Sequence, residues 1–158
     1  MKKTSDLPKV DFDDLDVLEK NAVRAALRVQ KNAYAPYSDY HVGVAVVSVT
    51  DQIYTGVNVE NVHYKVGHAE EYALGEMAKN GERQFKILVC AAKNGGIPCM
   101  SCRQCMREFS GEDLDAVTVI GVGEDVIATH QVIKCRFSDI VGVDSFGPAD
   151  LGVDPTKH

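Results

Sequence analysis

The spacing of hydrophobic and polar positions in the first half of the chain predicts one helix followed by two strands. Residues 11–31 carry apolar side chains at close to helical spacing and predict an amphipathic helix. The candidate caps at its start are Asp11, Asp13 and Asp14. Residues 42–49 (VGVAVVSV) are typical of a strand buried on both faces. Residues 50–52 resemble a hairpin connection, so a second strand is expected over residues 53–59.

The second half of the chain repeats the alternation of helices and strands. We expect helices over residues 68–79 and 100–109, strands over 85–92, 117–122 and 125–132, and loops over 61–67 and 93–98. Strands interleaved with helices predict a layered α/β fold with about five strands.

Length and charge limit the possible functions. A chain of 158 residues with 45% hydrophobic and 25% charged residues fits a single domain with a packed core, spanning residues 1–158. Flexible ends are expected over residues 1–10 and 152–158. The net charge of −6 disfavours nucleic-acid polymers as partners. Because the sequence shows no membrane-length apolar run and no secretion signal, we expect no membrane association and a cytoplasmic protein.

The cysteines raise the question of metal binding. Their number, five, is odd, which argues against a disulfide framework. Cys99 and Cys102 have the spacing of two thiolates that share one tetrahedral Zn²⁺, and upstream His68 precedes Glu70 by two residues. Three ligands would leave the fourth zinc position open for water, as in catalytic sites.

Each of these features also has a simpler explanation. His68 could simply cap a helix, Glu70 could belong to an exposed acidic turn, and the cysteine pair could be redox-active. Cys90 is expected to pack in the buried core. Cys105 is expected to be a core thiol or a spare reducing group rather than a ligand.

Together, the motifs carry a family resemblance. The pattern H-x-E followed by P-C-x-x-C is the signature of zinc-dependent nucleobase deaminases, and it matches residues 68–70 and 98–102. Further matches are YAPYS at 34–38, NVEN at 58–61 and SFGPADL at 145–151. The chain therefore resembles the small homotetrameric form of the cytidine deaminase family. The resemblance implies a three-layer α/β/α fold around a mixed sheet.

The resemblance also implies roles for particular residues. It implies one Zn²⁺ per subunit, held by His68, Cys99 and Cys102, with Glu70 as the proton shuttle. Substrate contacts are implied for Tyr40, Asn58, Glu60, the backbone at Ala69, and Phe146 of a neighbouring subunit. The spacing of Asn58 and Glu60 agrees independently, because positions two apart on an extended strand end point to the same side.

The chain also departs from the usual family pattern. The tetrameric form usually has Cys at the position of His68 and Arg at that of Glu71. The two changes are consistent in charge, because Zn²⁺ with two thiolates and a neutral imidazole sums to zero and needs no compensating Arg. The loop over residues 61–68 is one residue shorter than usual, and Tyr40 adds a hydroxyl to a normally apolar surface.

The leading hypothesis is hydrolytic deamination of cytidine or deoxycytidine in pyrimidine salvage. The alternatives are deamination of a modified cytosine nucleoside such as blasticidin S, a non-catalytic zinc-stabilised interaction module, and a redox protein.

Overall fold

The computed structural model describes residues 4–142, 148 and 153–157. Its strands are β1 (Lys9–Asp11), β2 (Val42–Ser48), β3 (Ile53–Val57), β4 (Val59–Glu60), β5 (Val66–Gly67), β6 (Phe85–Ala92), β7 (Thr118–Val122) and β8 (Gln131–Arg136). Its helices are α1 (Val17–Gln30), α2 (Ala69–Lys79), α3 (Met100–Phe109) and the single turn α4 (Val126–Thr129).

Six of the strands form one mixed sheet in the order β1-β8-β7-β6-β2-β3. The pair β6–β7 is parallel, and every other pair in this sheet is antiparallel. Strands β4 and β5 pair separately beside it. The expected mixed sheet is confirmed, and it has six strands where the sequence predicts about five.

Helices cover both faces of the sheet. On β2, Val44 and Val46 point into the core beneath α2 and α3, whereas Ala45 and Val47 point into the core beneath α1. This alternation is the period of a strand buried on both faces. The three-layer α/β/α arrangement is therefore confirmed.

The first helix begins later than the sequence pattern predicts. Asp16 is its N-cap: the Asp16 side chain accepts from the Glu19 amide at 2.8 Å, and the Glu19 carboxylate accepts from the Asp16 amide at 3.1 Å. This reciprocal capping box satisfies amides at the helix start. The prediction of a start near Asp11 was wrong, because Asp11 instead ends β1 and caps a short 3₁₀ turn.

The predicted fifth strand over residues 125–132 was also wrong. Residues 126–129 form α4, His130 ends it in the left-handed conformation at φ 53°, and the strand β8 begins only at Gln131. This turn connects the antiparallel strands β7 and β8. The sixth strand, β1, pairs with β8 and takes Lys9 and Val10 from the segment expected to be flexible. The flexibility of both chain ends and the domain boundaries stay predictions.

Candidate active site

The structure brings the three predicted metal ligands together. His68 Nδ1 lies 3.2 Å from Cys102 Sγ and 3.7 Å from Cys99 Sγ, and the two sulfurs are 3.4 Å apart. A regular tetrahedral zinc site with Zn–S near 2.3 Å and Zn–N near 2.05 Å needs separations of roughly 3.5–3.8 Å between its donors. The three side chains therefore fit Zn²⁺ with small adjustments and could supply three of its four ligands.

The N-termini of two helices carry these donors. His68 is the N-cap of α2, Cys99 is the N-cap of α3, and Cys102 lies in the first turn of α3. Both helices pack on the same face of the sheet, so their N-termini converge. The positive end of a helix dipole favours thiolates, which are the form in which cysteine binds zinc.

Backbone contacts place α2 against the sheet. Gly56 on β3 faces the first turn of α2 so closely that a Cβ atom there would lie 2.3 Å from the Ala69 carbonyl oxygen and 2.4 Å from the Ala73 nitrogen. Only glycine allows this approach without displacement. The Glu71 carboxylate accepts from the His68 amide at 2.9 Å and so holds the residue that enters the helix.

Arg103 holds the loop that carries Cys99. Its Nε donates to the Pro98 carbonyl at 2.7 Å, and one terminal nitrogen donates to the Ile140 carbonyl at 2.7 Å. The guanidinium thereby ties the residue before Cys99 to a distant part of the chain.

Burial affects the protonation of the Cys102 thiol. Burial, followed by the charge of Glu70 and a hydrogen bond with Cys99, raises the pKa of Cys102 far above its ordinary value. A coordinating thiol is deprotonated by the metal, so zinc binding must displace this proton.

A cavity of about 360 Å³ opens beside the three donors. Its volume is within the range of small-molecule sites. Glu70 lines it with only 4% of its surface exposed, one residue inside the start of α2. Cys90 on β6 also lines the cavity, so this buried thiol borders the site as well as filling the core.

Polar groups also line the cavity. Asn58 is buried, accepts from the Val42 amide at 2.8 Å and donates to the Tyr40 carbonyl at 2.8 Å. Glu60 accepts from the amides of Tyr37 and Ser38 and from the Ser38 hydroxyl. Hydrogen bonds from Ser38 and Tyr37, with the nearby charge of His41, lower the pKa of Glu60.

Tyr40 also lines the cavity. Burial, with the charges of Cys90, Glu124 and Glu70, raises the pKa of Tyr40. Its phenol is therefore protonated at neutral pH and can donate a hydrogen bond into the cavity.

The cavity thus collects most of the sequence-predicted site residues. Those that line it are Tyr40, Asn58, Glu60, His68, Ala69, Glu70 and Cys99, and Cys102 belongs to the same donor group as His68 and Cys99. Phe146 lies outside the described residues. Cys105 Sγ lies 3.9 Å from a Glu71 carboxylate oxygen and does not belong to the donor group. Sequence reasoning gave no role to Ser38 or Arg103, whose contacts depend on residues far away in the chain.

Fold and site together define the class of the protein. An imidazole and two thiols converge beside a cavity that a buried carboxylate also lines, on a three-layer α/β/α scaffold, which is the arrangement of a zinc enzyme.

Comparison with known proteins identifies the family. The family model described as the cytidine and deoxycytidylate deaminase zinc-binding region matches residues 17–118. A cytidine deaminase of Mycobacterium tuberculosis (strain H37Rv) is 32% identical over 148 residues, covering 92% of this chain and 96% of the relative. The chain belongs to the cytidine and deoxycytidylate deaminase family, and its cofactor is zinc.

Solved structures agree with this assignment. A cytidine deaminase from Burkholderia pseudomallei has a TM-score of 0.69 at 29% identity, covering 80% of this chain and 98% of that one. The structure of the Mycobacterium tuberculosis enzyme gives a TM-score of 0.67 at 28% identity, covering 84% and 99%. Among the helices of the described residues, none combines the length and apolar character needed to cross a membrane.

Proposed function

We propose that this enzyme deaminates cytidine and deoxycytidine by hydrolysis, giving uridine or deoxyuridine and ammonia for pyrimidine salvage. One observation carries the proposal: a single cavity is lined by His68, Cys99 and Glu70 of the candidate zinc site and also by Asn58 and Glu60. This lining matches a substrate that combines a reactive base with a hydroxylated sugar.

The proposed ligands are His68, Cys99 and Cys102. Zinc bound there supplies an activated water, because the metal lowers the pKa of a coordinated water toward neutrality. Glu70 takes the proton of the water that adds to C4 of the pyrimidine and delivers it to N3. It then takes the remaining proton from the new C4 hydroxyl and delivers it to the amino nitrogen, so that ammonia leaves as the C4–N bond breaks and a C4 carbonyl forms. The burial of Glu70 keeps these transfers away from bulk solvent.

The rest of the cavity positions the nucleoside. Asn58 and Glu60 receive a sugar hydroxyl, Tyr40 packs on the ligand, and the backbone at Ala69 reads the polar edge of the base. None of the described residues that line the cavity is Lys or Arg, while Glu60 and Glu70 are acidic. This lining supports a nucleoside over a nucleotide, whose phosphate would meet negative charge.

We also propose a homotetramer in which Phe146 of a neighbouring subunit completes each site. The loop that bears the cavity residue Val66 exposes apolar side chains to solvent, with Val62 75% and Tyr64 99% exposed. Exposed apolar side chains grouped beside a site support an interface there.

The proposed location is the cytoplasm. The five free thiols, two of them proposed metal ligands, suit its reducing environment.

A nucleoside panel tests the proposal. Zinc-loaded protein is assayed with cytidine, deoxycytidine, deoxycytidine monophosphate and blasticidin S, with zinc content measured on the same sample. We expect turnover of the two unmodified nucleosides and its loss in Glu70→Gln. Turnover of blasticidin S alone would assign the modified substrate instead. Bound zinc without turnover of any compound would favour the non-catalytic module.

A further inference from the structure

The hydroxyl of Ser38 connects two parts of the cavity wall. It donates to Oε1 of Glu60 and accepts from the Tyr40 amide at 3.1 Å. The other carboxylate oxygen, Oε2, accepts from the amides of Tyr37 at 2.8 Å and Ser38 at 3.2 Å. Ser38 and Glu60 both line the cavity.

These contacts limit the freedom of Glu60. The residue lies on the two-residue strand β4, and a solvated glutamate side chain normally samples several rotamers. A carboxylate offers about four acceptor positions, and the protein occupies three of them. The carboxylate is therefore fixed in one orientation, with about one acceptor position left for a ligand.

We propose that Ser38 is a positioning residue, which fixes the Glu60 carboxylate so that its remaining acceptor position meets one hydroxyl of the substrate sugar. The inference rests on the proposed function, because it takes the ligand to be a cytosine nucleoside. Ser38 does not touch the reacting atoms, so its removal weakens binding and leaves the chemical step nearly unchanged.

Steady-state kinetics with deoxy analogues tests this role. Ser38→Ala is compared with wild type on cytidine and on its 2′-deoxy, 3′-deoxy and 5′-deoxy forms. We expect KM to rise roughly tenfold for every nucleoside that keeps the hydroxyl bound by Glu60, with kcat changed less than about twofold. For the one analogue that lacks this hydroxyl, Ser38→Ala and wild type should have the same KM. Glu60→Gln should likewise have the wild-type KM for that analogue. Ser38→Thr, which keeps a hydroxyl, should restore KM.

A matched control excludes a general effect of removing a serine. The Ser138 hydroxyl also donates to a carboxylate, that of Asp115, and neither residue lines the cavity. Ser138→Ala should leave KM unchanged for all four nucleosides. An equal rise in KM for every analogue in Ser38→Ala, or no rise at all, would overturn the inference.

A second measurement separates this inference from the proposed function. If zinc-loaded wild-type protein turns over no cytosine nucleoside, the proposed function fails, and an NMR titration of the Glu60 carboxyl still tests the contact. The pKa of Glu60 should be higher in Ser38→Ala than in wild type, because the charged form loses a donor. His41 lowers this pKa in both proteins, so its influence cancels. Identical values would show that Ser38 does not hold the carboxylate.

Discussion

Replacing Gly56 by alanine should disturb the zinc site through the backbone alone. The new Cβ would lie 2.3 Å from the Ala69 carbonyl oxygen, against at least 3.4 Å in an ordinary contact. The first turn of α2, which carries His68 and Glu70, must therefore retreat by about 1 Å or distort β3. Overpacking of this kind costs about 1–3 kcal/mol, which corresponds to a loss of about 3–10 °C in Tm for a domain of this size.

The functional loss should exceed the loss of stability. A misplacement of about 1 Å can reduce catalysis roughly a hundredfold, and metal ligands tolerate only about 0.2 Å. We expect Gly56→Ala to bind zinc more weakly and to lose about a hundredfold in kcat/KM at temperatures where it is fully folded. Circular dichroism melting, a competitive zinc chelator and the cytidine assay measure the three quantities.

Gly43 provides the matched control. A Cβ there would lie 2.3 Å from the Ala26 carbonyl oxygen and 2.6 Å from the Gln30 nitrogen, on the opposite face of the sheet against α1. Because α1 carries no proposed ligand, Gly43→Ala should lose similar stability and retain much more zinc affinity. Equal zinc affinities in the two variants, or wild-type activity in Gly56→Ala, would refute the reasoning.

Three further predictions follow from separate contacts. Arg103→Met removes two hydrogen bonds to carbonyls around the Cys99 loop and should weaken zinc binding about 10–100-fold in chelator competition; unchanged affinity would contradict this. Because the pKa of the Cys102 thiol is raised, its proton is still bound at neutral pH without metal. Calorimetry in buffers of different ionisation enthalpy should therefore detect at least about one proton released per zinc, and apparent affinity should rise with pH. Lys134→Met leaves the buried Glu19 carboxylate without its partly exposed ammonium partner at 2.6 Å and should cost about 1–3 kcal/mol in denaturant unfolding, with zinc content unchanged.

Local patterns predicted the central elements well. The strand Phe85–Ala92 and the helix Met100–Phe109 have the predicted bounds, because one is apolar at every position except Lys86 and the other begins after a proline-containing loop. The strand predicted over residues 125–132 was wrong because the β-branched residues there lie in one helical turn. The pairing of β7 with β8 determines where this turn lies. Strand β1 was missed because three residues have too short a pattern, and their partner in β8 is far along the chain.

The sequence likewise predicted some features of the site and missed others. Residue types and spacing made His68 and the cysteine pair candidates for one zinc site, and the family resemblance implied that they converge. The contacts of Ser38 and Arg103 could not be predicted, because each bonds to groups more than 20 residues away or to backbone whose position only the fold determines.

The most direct test of the account measures zinc content and cytidine turnover together. Metal-free wild-type protein and Glu70→Gln are titrated with Zn²⁺ while bound metal and ammonia release are recorded. We predict that wild-type turnover rises in proportion to bound zinc and stops rising at one ion per chain, while Glu70→Gln binds the same amount of zinc and releases almost no ammonia. Full activity without zinc, or equal activity in Glu70→Gln, would contradict the account.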